Sequence, residues 1–124
     1  MTKTEKIKQA VIGFVKGGDT SDTQLLNAVL HKDFRVTSNN FLGEPGVAIL
    51  DKAGYLNNIE KGIFGGLPRK MEIELIDESK TIAMVKIRLE SAENNFVSYN
   101  SLVLDTDNEW KLINNHVVVE AKKV

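Results

Sequence analysis

Residues 69–120, RKMEIELIDESKTIAMVKIRLESAENNFVSYNSLVLDTDNEWKLINNHVVVE, decide the fold of this chain. Apolar and polar side chains alternate through them with a period of two, as they do when successive residues point to opposite faces of a sheet. The alternation divides into four segments, roughly 70–78, 80–91, 95–106 and 109–120. Turn residues separate them at Asp77 to Lys80, Ser91 to Asn95 and Asp107-Asn108. Asp107-Asn108 suits a two-residue hairpin turn, because Asn and Asp tolerate positive φ. Pairing across such a turn fixes which side chains share a face. One face then holds Phe96, Ser98, Asn100, Leu102, Ile113, Asn115 and Val117. The other holds Val97, Tyr99, Ser101, Trp110, Leu112, Asn114 and His116, and a one-residue bulge would exchange the two sets.

Ahead of this meander the period is helical. Ile7, Ala10, Val11, Phe14 and Val15 fall on one helix face, Thr2 and Glu5 form a capping box, and Gly17-Gly18 supplies the stop. Asp19 or Ser21 caps a second short helix that buries Leu25, Leu26, Val29 and Leu30, so the two helices make an angled hairpin. Phe34 to Thr37 reads as a strand with Ser38-Asn39-Asn40 as its ragged end. The turn Gly43-Glu44-Pro45-Gly46 leads into an apolar run from Val47 to Leu50. Asp51 caps a third helix with Tyr55 and Ile59 on one face, and Gly62 ends it. The loop from Gly62 to Pro68 lacks the lysine and the strand-before-helix setting of a phosphate cradle, so its glycines read as backbone punctuation. The order α-α-β-β-α-β-β-β-β is a segregated α+β arrangement, expected to form one domain over residues 1–124.

Composition narrows the function classes. With 42% hydrophobic and 27% charged residues the chain has the balance of an ordinary globular domain. It contains no cysteine, which removes disulfides, thiolate metal sites and a cysteine nucleophile. A net charge of -1, with basic and acidic residues mixed, gives no basic stripe for nucleic acid. The N-terminus has no long apolar stretch for a signal peptide or membrane span, and a cytoplasmic location is expected.

Three stretches carry a resemblance over almost the whole chain: Phe14-Val-Lys-Gly-Gly-Asp19, Leu30-His-Lys-Asp-Phe34 and Asp107-Asn-Glu-Trp-Lys-Leu-Ile-Asn114. With the element order, they make the chain similar to the nuclear transport factor 2-like superfamily, and most of all to its SnoaL-like and lumazine-binding-like members. The resemblance implies a cone: three N-terminal helices packed on a curved antiparallel sheet that curls round the first helix, its open end forming a pocket. It also implies a homodimer through the outer sheet face. By resemblance to the ketosteroid isomerases, the face bearing Asn100 and Asn115 lines the pocket.

The same resemblance supplies a test for chemistry. Ketosteroid isomerases use a tyrosine, a proton-shuttling carboxylate and an oxyanion-stabilising acid. The matching positions here are Val11, Ser38 and Asn100. The essential acid of SnoaL-type cyclases falls at Asn115, again an amide, and amides do not titrate near neutral pH. The candidate ligand-binding set is therefore Val11, Phe14, Phe34, Ser38, Tyr55, Ile59, Ser98, Asn100, Ile113 and Asn115. Each has a plainer reading: Asn100 and Asn115 satisfy each other or a water, Tyr55 is core with a wet tip, and Phe14, Phe34 and Phe64 are core. His116 falls on the outer face, His31 at the end of the second helix, and two distant histidines make no metal site. No metal or other cofactor is expected.

A small-molecule-binding protein with a mostly apolar pocket for a small apolar or aromatic ligand is the leading reading. An isomerase, cyclase or dehydratase using Tyr55, Tyr99 and His116 is the alternative. A homodimeric interaction module with a collapsed cone is the third.

Overall fold

In the computed structural model, which describes residues 1–123, the first helix, Lys3–Asp19 (α1), begins where its capping residues put it. The Thr2 hydroxyl accepts from the Glu5 backbone N–H at 3.1 Å. Ile7, Ala10, Val11, Phe14 and Val15 are all buried on one stripe. The helix does not stop at Gly17-Gly18 but continues to Asp19. Gly17 is there for contact: a Cβ would lie 2.7 Å from Cγ of Leu26 on the next helix, Thr23–Val29 (α2). Ser21 takes a left-handed φ of 53°, so the cap falls one residue later, on Asp22, which accepts from the Leu25 N–H at 3.1 Å. Leu26 is the residue of α2 that is fully buried.

The first strand, Leu30–Asn39 (β1), is longer at both ends than Phe34 to Thr37 and takes in His31, which belongs to the strand rather than to the helix end. A 3₁₀ turn at Phe41–Gly43 leads to Val47–Asp51 (β2), antiparallel to β1. Asp51 caps Lys52–Glu60 (α3), accepting from the Gly54 N–H at 2.8 Å. The glycine loop that follows is pinned to the end of α1, where the Gly66 N–H donates to the Gly18 carbonyl at 2.9 Å. Gly65, with φ 82°, packs so closely that a Cβ would lie 2.5 Å from that same oxygen.

Four strands complete the sheet: Lys70–Ser79 (β3), Ile82–Glu90 (β4), Asn94–Leu104 (β5) and Trp110–Ala121 (β6). The order is β2-β1-β6-β5-β4-β3, curved and unclosed, with helices on its inner side: the α+β cone of the nuclear transport factor 2-like fold. One pair departs from the antiparallel expectation, since β1 runs parallel to β6. Ala83, Val85, Ile87 and Leu89 of β4 all face inward into the core, leaving Lys86 and Arg88 on the outer side with Glu74 as their shared partner.

The last hairpin decides which side chains meet inside. Its turn has three residues, not the expected two: the Asp105 N–H donates to the Glu109 carbonyl at 2.9 Å, and Asn108 takes φ 65°. Leu104 consequently faces Trp110, and Leu102 faces Leu112. Left uncorrected, that shift would turn Asn115 to the outside. A bulge intervenes, and beyond it Ser101 faces Asn114 and Asn100 faces Asn115. The extra residue is Ile113, which has no partner on β5, belongs to neither core nor cavity wall, and so leaves the expected inner set. Trp110 and Leu112, expected outside, are 7% and 0% exposed. The β1–β6 register shifts beside the bulge, between Leu30 and Arg35, so both neighbours crease along one line.

Candidate functional site

Beyond that crease the cone is hollow. A cavity of about 570 Å³ opens between the sheet, the C-terminal end of α1, α3 and the glycine loop. Its volume lies within the ~300–1,000 Å³ range of small-molecule sites. Most of its wall is apolar: Phe14 from α1, Val36 from β1, Ile59 from α3, Leu89 and Phe96 from β4 and β5, and Val117 and Val119 from β6. Phe41, Leu42, Ile63 and Leu67 rim the opening with their side chains partly in solvent. Among the residues described, the wall carries no Asp, Glu or His.

Polar groups enter at three places, one of them the turn between β4 and β5 with Ser91 and Asn94. On the sheet wall, Ser98 and Asn115 stand side by side because β5 and β6 pair Ser98 with Val117 and Asn100 with Asn115. Asn115 Nδ2 donates to Ser98 Oγ at 2.6 Å and to Asn100 Oδ1 at 2.7 Å. Ser98 Oγ donates onward to Asn100 Oδ1 at 3.4 Å, and Asn100 Nδ2 to the Val85 carbonyl at 3.4 Å. Among the residues described, no buried side-chain donor or acceptor is left without a partner. Ser38, 8% exposed, adds a hydroxyl from β1.

The opposite wall carries Tyr55 and Arg69. Tyr55 is held in an aromatic stack, its ring centroid 5.9 Å from Phe14, 5.8 Å from Phe34 and 5.7 Å from Phe64. Burial pushes its phenol up to about 12, with nearby Arg69 acting in the opposite direction and Asp19 adding to the rise. The hydroxyl is thus a donor at any physiological pH. Arg69 lies with its guanidinium 5.0 Å from the Phe96 ring and its Nε 2.6 Å from Asp19 Oδ1.

The residues expected at the site divide by depth. Phe14, Ser38, Tyr55, Ile59, Ser98 and Asn115 reach the cavity. Val11, Phe34 and Asn100 lie fully buried beneath it: Val11 and Phe34 pack the core, and Asn100 acts through Asn115. Ile113 is removed by the bulge. His116 is exposed, with Nε2 3.0 Å from Asn39 Oδ1, and His31 sits 3.9 Å from Asp33 and from Asp105. No group of three or more metal-ligating side chains occurs among the residues described. Among the residues described, no helix is long and apolar enough to cross a membrane. Sequence reading missed Arg69, because its partner Asp19 is 50 residues away and no local pattern links them.

The model of a family described as "Putative lumazine-binding" matches residues 2–116. A nuclear transport factor 2-like protein of unknown function from Shewanella baltica superposes with a TM-score of 0.81 at 15% identity, covering 96% of this chain and 97% of that one. One from Cytophaga hutchinsonii gives 0.79 at 15% identity, covering 98% and 100%. A ketosteroid isomerase-like protein from Erwinia carotovora gives 0.74 at 12% identity, covering 93% and 94%. No curated protein matches.

Proposed function

The chain belongs to the family described as "Putative lumazine-binding", and on that premise we propose that it binds a small, largely apolar or aromatic molecule inside the cone. The observation that carries the reading is the wall of the cavity: about 570 Å³ lined mainly by apolar side chains, with polar atoms at a few places. Apolar burial supplies affinity in such a site, and a few fixed donors and acceptors supply orientation. The positions that bear acids in isomerases and cyclases of this fold here carry Ser38, Asn100 and Asn115, and the two amides hydrogen-bond each other. That arrangement favours recognition over proton transfer.

A homodimer through the outer sheet face belongs to the same proposal. Ile82 is 59% exposed and Tyr99 44% on that face, a large apolar exposure for strands in mid-sheet. So does a cytoplasmic setting, which suits a chain without cysteine. Native mass spectrometry of gently purified protein tests these readings together. A dimer carrying extra mass that leaves on denaturation is the expected result and would identify the occupant. A dimer that takes up no small aromatic compound on titration would remove the binding reading, and a monomer would remove the sheet-face dimer.

A further inference from the structure

Among the residues described, Arg69 is the one charged side chain on the cavity wall, and its bonding is lopsided. Both oxygens of Asp19 are spent on the near side of the residue: Oδ1 takes Nε at 2.6 Å and Oδ2 takes the backbone N–H at 3.3 Å. The terminal nitrogens have no acceptor among the residues described, yet are not sealed from solvent. One of them lies 3.2 Å from the point where a Gly18 side chain would begin, and the Tyr55 hydroxyl lies 3.6 Å from that same point. A guanidinium edge and a phenol, both donors, therefore converge on one patch of the cavity floor, which stays open because residue 18 has no side chain. Phe96 backs the guanidinium, and Phe14, Phe64 and Ile59 surround the phenol.

We infer that Arg69 and Tyr55 form an anchor for an oxyanion, so that the ligand is an organic monoanion, a flat apolar body bearing one carboxylate or sulfonate-like group. This rests on the binding function proposed above and adds its polarity. Asp19 holds the guanidinium in place by its Nε and leaves the paired N–H edge for the ligand, the fork geometry that suits a planar carboxylate. A neutral ligand of the same shape would leave that edge to water and gain nothing from it.

Two probes sharing one ring frame test the inference: 1-anilinonaphthalene-8-sulfonate and its neutral parent N-phenyl-1-naphthylamine, each titrated by fluorescence. The natural chain is expected to bind both, the anion more tightly. Arg69→Gln should weaken the anion about tenfold or more, as loss of a charge-assisted hydrogen bond does, with the neutral probe changed much less. The double variant Asp19→Asn with Arg69→Gln, which leaves no orphaned carboxylate, should show the same split even where the single variant folds poorly. Tyr55→Phe should show a smaller split in the same direction. Equal losses for the two probes, or none, would overturn the oxyanion anchor while leaving the binding pocket standing. Failure of the natural chain to bind either probe would overturn both.

Discussion

Asn115 donates one amide hydrogen to the carbonyl oxygen of Asn100 at 2.7 Å across the β5–β6 pair, and the other to Ser98 at 2.6 Å. The three side chains form a closed unit tied to the Val85 carbonyl, and Asn100 within it is wholly buried. An acid at either amide position would set two acceptors against each other. The chain thus holds a polar patch on the sheet wall of an apolar cone at little desolvation cost.

Asn115→Asp puts this to the test. The carboxylate would face Asn100 Oδ1 with no hydrogen to give, costing roughly 1–3 kcal/mol at neutral pH. Protonation restores a donor, so the new group's folded pKa should be raised. A raised carboxyl destabilises progressively as pH climbs from its unfolded value, about 4, through the folded one. Urea unfolding of the variant should therefore show a larger deficit at pH 7 than at pH 4.5, and an equal deficit at both would contradict the closed unit.

Tyr55 predicts the alkaline limit of stability. Its phenol is pushed up to about 12 in the folded chain, against the ordinary value of 10.0. Between those two values the unfolded chain loses the proton and the folded chain keeps it, so stability falls as pH rises through that window. The full effect is roughly 2–3 kcal/mol. Tyr55→Phe should flatten this part of the pH–Tm curve, and an unchanged alkaline limb in the variant would mean that burial does not raise the phenol.

Gly17→Ala pits helix propensity against packing. Alanine gains about 1 kcal/mol of propensity inside a helix. Its Cβ, however, would sit 2.7 Å from Cγ and 2.8 Å from Cδ2 of Leu26, a fully buried residue with little room to move. Overpacking of this kind costs roughly 1–3 kcal/mol. A net loss of stability is expected in chemical denaturation, and a net gain would show that α2 moves freely against α1.

Lys111 links two carboxylates of the last turn, lying 3.2 Å from Asp105 and 2.6 Å from Asp107. Asp105 is held below the usual carboxylate range first by the Thr106 N–H and then by Lys111; Asp107 is held down first by Lys111. Stability from a lowered carboxyl is present above its unfolded value, about 3.9, and lost as pH falls through the folded value. Lys111→Met should lower Tm slightly at pH 7 and hardly at all near pH 2.5. A Tm gap that persists in acid would point to packing rather than charge.

How much of this was legible beforehand depended on the range of the interactions. Ile7 to Val15 and the β4 alternation from Ala83 to Leu89 announce their faces by period alone, and α3 announces its cap at Asp51. Gly17 misled as a helix stop because its reason lies on another helix, in Leu26. Ile113 misled because a strict period of two carries Trp110 and Leu112 to the same face as His116, and only a bulge brings both pairs, Trp110–Leu112 and Asn115–Val117, inward. The sign was present in the parity: apolar side chains occupy even positions at Trp110 and Leu112, then odd ones at Val117 and Val119. Period and a two-residue turn put Asn100 and Asn115 on one face, as they are in the structure, although the chain does not have that turn; the bulge cancels the turn's extra residue. Arg69 was invisible, since nothing near it in sequence speaks of Asp19.

The crease through β1 and β6 separates two storeys of one sheet. Below it, Leu30, Leu102, Trp110 and Leu112 close the core; above it, Ser38, Ser98, Asn115 and Val117 face open space. Mutation is felt differently on either side. A lower-storey change leaves a void among packed neighbours, whereas an upper-storey change mainly reshapes a space that was never filled. Substitution in the upper storey can therefore change the shape of that space at little cost to folding, while the lower storey answers to the packing of the core.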